Sequence, residues 1–237
     1  MYRIFSRVLV AALLLAAAVP ASARNTVNKL LKELRAAKGD EQIRVIRALG
    51  RTGQGRAADE LLPLLDIRKD SPRRSTALVE ALGVLRAKKA LEPIIASWDY
   101  LDSVRLQMDL TAQLQVLRSA VVEALGQIGG EGASNILMEG LDDPDQGVVE
   151  KAVKGLGRLR ERKAVEAIIA LSARGGNMAQ TCYEALGAIG NDRCLAPLEK
   201  GMRSENPMDQ VAPAYGLALM GKIPFACSFS QFVTGKT

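Results

Sequence analysis

The sequence predicts an all-α fold: a right-handed α-solenoid, or α–α superhelix, of about five helical hairpins. Three observations lead there. First, the tripeptide Ala-Leu-Gly recurs, ending at Gly50, Gly83, Gly126 and Gly187, with Gly155-Leu156-Gly157 as a close variant. Self-similarity at a period of about 20–50 residues is the mark of stacked repeats. Second, hydrophobic residues make up 48% of the chain but aromatic residues only 4%. A core of Ala, Leu, Ile and Val suits close helix packing better than a sheet. Third, apolar residues recur at helical spacing on both sides of each marker glycine.

Aligning the chain on those glycines exposes further columns. Seven residues after the glycine stands a small side chain: Ala57, Ala90, Ala133, Ala164 and Cys194. Four residues further on stands an aliphatic one: Leu61, Ile94, Leu137, Ile168 and Leu198. Four before the glycine the column reads Ile46, Val79, Val122, Val153 and Tyr183. Each repeat therefore reads as a hairpin. A first helix ends near Leu-Gly, where the glycine turns the chain, and a second begins at the small residue. One hairpin cannot bury its apolar face alone, whereas stacked hairpins can.

The elements follow in chain order. Arg3 and Arg7 precede an apolar run, Val8–Val19, and then Pro20-Ala21-Ser22-Ala23. This is the pattern of a secretory signal peptide over residues 1–23. It implies an exported protein, periplasmic after cleavage near Ala23. Residues 24–39 read as a capping helix, with Val27, Leu30, Leu31 and Leu34 on one face and Lys29, Lys32, Glu33 and Arg35 on the other. Residues 40–221 hold the repeat array. The longer step from Gly83 to Gly126 places an insertion near 98–112, containing Trp98 and Tyr100, with Asp102 or Ser103 as the expected cap of a long helix running into Gly126. Residues 222–237, with Phe225, Cys227, Phe229 and Phe232, read as a tail packing on the last repeat.

The segment Leu141-Asp142-Asp143-Pro144-Asp145, followed by Val148 to Gly157, resembles the bacterial HEAT-like repeat of the phycobilin-lyase type. Asp143 before Pro144 reads as an N-cap with proline at the first helical position. The resemblance covers about residues 40–203 and implies an α-solenoid that contacts other proteins. It also implies a second role: phycobilin lyases attach a chromophore to a cysteine of a partner protein. The early Val-Arg pair common in these repeats survives here only as Leu117-Arg118; the matching positions are Gln42, Ser75, Val149 and Ala179.

The chain contains no histidine. That removes the commonest general base, and with it histidine triads and most zinc sites. The glycine pairs Gly129-Gly130 and Gly175-Gly176 lack the Lys-Ser/Thr of a phosphate loop. Glu139, Asp142, Asp143 and Asp145 match no calcium loop. These readings predict no enzyme, no cofactor and no metal, but an exported scaffold or adaptor that binds another protein through the solenoid surface. The lyase-like or chaperone role is the alternative, and peripheral membrane association a third reading.

The net charge of +6 favours solubility and does not by itself argue for nucleic acid. A protein partner is expected, no nucleic acid, and at most a weak membrane contact through a basic edge or the Phe-rich tail. That edge is a basic column before the second helices: Arg56, Lys89, Lys163 and Arg193. Together with Trp98 and Tyr100 of the insertion, it forms the candidate partner-binding set. Opposite it runs a column with Asp59, Glu92, Asn135 and Glu166. Cys182 and Cys194 fall in apolar and small columns, about 7 Å apart along the helix axis and about 9 Å apart between helices, too far to pair.

Overall fold

The computed structural model describes residues 21–107 and 111–222. Helix α1 (Ala21–Ala36) leads into five hairpins. These are α2 (Gly39–Arg51) with α3 (Gly55–Leu61), α4 (Pro72–Val84) with α5 (Leu91–Gln107), and α6 (Ala112–Ile128) with α7 (Glu131–Glu139). Then come α8 (Gln146–Leu159) with α9 (Val165–Ser172), and α10 (Gly176–Ile189) with α11 (Leu195–Gly201). A last first-type helix, α12 (Val211–Leu219), closes the described chain. Among the described residues there is no strand, and no helix is long and apolar enough to cross a membrane. The signal segment and the Phe-rich tail lie almost wholly outside the described residues.

The first helices α2, α4, α6, α8, α10 and α12 stack one on the next. Each second helix packs on the first helix of the repeat that follows. The result is an α-solenoid whose core runs unbroken along the stack. The tripeptide leucines Leu49, Leu82, Leu125, Leu156 and Leu186 are fully buried, as are Ile94, Leu137, Ile168 and Leu198. The small column Ala57, Ala90, Ala133, Ala164 and Cys194 is also fully buried. At one end Val27, Leu31 and Leu34 of α1 are buried, and α1 packs on α2.

The marker glycines do different work from the turn expected of them. Each lies inside its helix, facing the tripeptide of the next repeat. A Cβ on Gly50 would stand 2.9 Å from the Ala81 Cα, and one on Gly83 2.8 Å from the Ala124 Cα. For Gly126, Gly157 and Gly187 the clashing atoms are the Cα of Gly155, Ala185 and Gly216, at 2.7, 2.7 and 2.3 Å. The chain turns three residues later. There Gly53, Arg86, Gly129, Arg160 and Gly190 all have positive φ. Two of these five left-handed positions are arginines, a conformation that costs an L residue about 1–2 kcal/mol.

Two helix starts also differ from expectation. Asp102 lies inside α5, and α6 is capped by Thr111, whose hydroxyl accepts from the Leu114 N–H. No breaker interrupts the chain between Pro93 and Gln107, and the Asp102 carboxylate is occupied by arginines. The extra residues therefore lengthen both α5 and α6. Likewise α8 is capped by Asp145, which accepts the Gly147 N–H at 2.7 Å, and not by Asp143. Asp143 instead accepts the Asp145 N–H at 2.8 Å and pairs with Arg118.

Two substitutions test this packing. Gly187→Val destabilises by about 3 kcal/mol and lowers Tm by about 6–12 °C. Arg160→Gly relieves the left-handed strain and stabilises by about 1 kcal/mol. Thermal unfolding of both variants reads both signs; a neutral Gly187→Val contradicts the close-approach account.

Candidate functional site

The irregular junction between the second, third and fourth repeats gathers the most polar chemistry in the interior. Arg118 of α6 carries it. Its side chain is 3% exposed, as is that of Asp143 on the turn before α8. Nη1 of Arg118 donates to Asp143, and Nη2 donates to Asp102 Oδ1 of α5 at 2.9 Å. Arg105 donates to the same Asp102 oxygen through Nε at 3.0 Å and Nη2 at 2.8 Å. The Arg118 guanidinium lies over the Trp98 ring, 4.2 Å from its centroid. Its Nε is buried with no hydrogen-bond partner among the described residues. Two cations and two carboxylates thus balance in one place and clamp three repeats together. Removing one partner of such a buried pair leaves the other as an uncompensated charge.

This geometry relocates part of the candidate set. Trp98 is only 4% exposed, so it lies beneath Arg118 and out of a partner's reach. Tyr100 is half-buried, with the Arg68 guanidinium 5.3 Å from its ring centroid. The structure does not bring either aromatic to the basic edge.

Arg56, Lys89, Lys163 and Arg193 are all exposed. Lys89 Nζ pairs with Asp59 at 2.8 Å, and Arg193 Nη1 with Glu166 at 3.4 Å. Each pair joins a base to the acid of the preceding repeat, and the Asp59 carboxylate raises the pKa of Lys89. Arg56 and Lys163 have no ion-pair partner among the described residues. The edge is therefore half neutralised by its own acids, and such exposed pairs add little to stability.

Sequence reasoning noted Arg118 only as a surviving repeat signature. Its signal was a lone arginine in an otherwise uncharged column, with an aspartate one repeat later. Sequence reasoning also missed a cavity of about 390 Å³ between α10, the end of α11 and the turn before α12, lined in part by Ala179, Tyr183, Lys200, Arg203 and Asp209.

Cys182 and Cys194 are free and buried. Burial pushes the Cys182 thiol from 9.0 up to about 12, with Arg174 opposing, and burial also raises Cys194. The folded value of Cys182 exceeds the unfolded one. Its contribution to stability is thus complete below pH 9.0 and is lost as pH rises toward about 12.

Comparison with known proteins bears on what this scaffold does. Residues 106–175 match the HEAT repeats family. Over 96 residues, 35% of this chain and 36% of the relative, the sequence is 34% identical to phycocyanobilin lyase subunit alpha of Picosynechococcus. The chain carries HEAT-like repeats of the phycobilin-lyase type. The match spans only about a third of that relative's length. The complex of CpcE and CpcF of phycocyanin lyase from Nostoc shares the fold, with TM-score 0.60 and 22% identity over 88% of this chain and 82% of that one. A designed armadillo repeat protein in complex with a (KR)4 peptide shares the architecture, with TM-score 0.53 and 15% identity over 82% of this chain and 99% of that one.

The likeness to a lyase subunit corrects the expectation that this HEAT-like protein is not an enzyme. The physical reason is plain. A missing histidine excludes triads and most zinc sites, but catalysis by holding two reactants in register needs neither.

Two outcomes check the interior. Arg118→Met leaves Asp143 buried without its cation and costs about 3–5 kcal/mol, and adding Asp143→Asn recovers part of that loss. Denaturant unfolding of the single and double variants measures both. Iodoacetamide at pH 8 leaves Cys182 and Cys194 unlabelled in the folded protein and labels both in denaturant, as peptide mass mapping reports.

Proposed function

We propose that this protein is one subunit of a phycobilin-lyase-like enzyme, which holds a linear tetrapyrrole and assists its attachment to a cysteine of an acceptor protein. The 34% identity to the lyase subunit carries this reading. The fold shared along most of both chains with the two-protein lyase complex supports it. On this reading the chain's contribution is positioning: ligand, acceptor and a second subunit held on a preformed surface. Arg56 and Lys163, the unpaired members of the basic edge, are the residues we assign to the partner contact.

The N-terminal pattern supports export, and we propose cleavage near Ala23. The intact mass of the protein recovered from its own cells then corresponds to a chain starting at Arg24; retention of residues 1–23 contradicts it.

The lyase reading is tested by incubating the full chain, with and without its co-purified partner, with phycocyanobilin and an acceptor protein. The expected result is a shifted visible absorbance and a chromophore adduct on an acceptor cysteine. Unchanged absorbance and no adduct in either mixture contradict the reading.

A further inference from the structure

One junction of the array lacks the charged residues that fill another. Arg118 and Ala179 occupy the same column, eight residues before Gly126 and Gly187. Asp143 and Ser204 also correspond, since the two turns are built alike. Asp143 Oδ1 accepts the Asp145 N–H at 2.8 Å, and Asp145 caps the Gly147 N–H at 2.7 Å. Ser204 Oγ accepts the Asn206 N–H at 3.3 Å, and Asn206 caps the Met208 N–H at 3.1 Å. Between the third and fourth repeats a guanidinium and a carboxylate occupy the interior. Between the fifth repeat and α12 the same places hold a methyl and a hydroxymethyl group.

The space that results is the cavity of about 390 Å³. Tyr183, at a position that is aliphatic in every other repeat, forms one wall with Ala179. Lys200 and Arg203 stand at the cavity, both exposed and both without an ion-pair partner among the described residues. Asp209 is the one acid lining it, and it accepts the Ser204 hydroxyl at 3.3 Å. Gly175 and Gly176, with φ of +73° and +54°, put no side chain over the mouth, and a Cβ on either would meet nothing within 4 Å. A concave site with apolar walls and a few convergent polar groups is the usual form of a small-molecule pocket.

We propose that this cavity binds the carboxylate arm of an amphipathic organic anion. Lys200 and Arg203 hold the carboxylate, and Tyr183 and Ala179 supply the apolar wall. The identity of that anion rests on the lyase reading: the carboxylate is a propionate of the linear tetrapyrrole. Ala179 and Ser204 make room for the arm where the third and fourth repeats close the same space with Arg118 and Asp143.

The test is an absorbance titration of the full chain with biliverdin and with its dimethyl ester, which differ only in the two carboxylates. Three proteins are compared: the unchanged chain, Lys200→Ala/Arg203→Ala, and Ala179→Leu, which puts a larger side chain on the cavity wall. Lys200 and Arg203 are exposed, and thermal unfolding confirms that each variant folds. Biliverdin is expected to bind the unchanged chain at least tenfold more tightly than either variant, and at least tenfold more tightly than the ester. Equal biliverdin binding by all three overturns this site while leaving the lyase reading intact. No binding to the unchanged chain also overturns this site, and the lyase reading falls with it only when the mixture with the co-purified partner forms no adduct either.

Discussion

The contact on which the rest depends is the one between tripeptides of successive repeats. Each marker glycine faces the Ala or Gly that stands before the equivalent leucine of the next first helix, closely enough that one added methyl group would collide with backbone. This sets the spacing of the first-helix layer. The tripeptide leucine is fully buried in every repeat as a consequence, and the second helices find their places on the following first helix. Small residues thus act where two helices meet, and the apolar burial that stabilises the stack follows from how closely they meet.

A uniform stack has no distinctive site. Departures from uniformity create one, and two among the described residues are of opposite kind. At the third repeat, lengthened helices and Arg118 fill the interior with paired charge over Trp98. At the fifth, Ala179 and Ser204 leave the same position open beneath two unpaired cations. The first departure ties three repeats together through charge; the second opens a cavity.

Much of this was legible in sequence. The columns Ile94, Leu137, Ile168 and Leu198, and the small column from Ala57 to Cys194, are buried as their spacing implied. The glycines were found but given the wrong task, because a glycine near a helix end serves a turn or a close crossing equally well. The turn itself hid at Arg86 and Arg160, where the usual glycine is absent. Asp143 looked like a cap because proline follows it; only the buried guanidinium one repeat earlier shows why Asp145 caps instead. Trp98 read as a surface candidate because a long-range contact with Arg118 leaves no local trace. The cavity escaped because it is defined by what Ala179 and Ser204 lack.

The same logic explains how a chain without histidine resembles a lyase subunit. A rigid repeat surface can hold reactants in register, and orientation lowers a barrier without a histidine. The most direct measurement is native mass spectrometry, with an absorbance spectrum, of the complex recovered from the protein's own cells. The account predicts a mass that includes a second protein subunit, together with tetrapyrrole absorbance. A single-chain mass with no chromophore would contradict it.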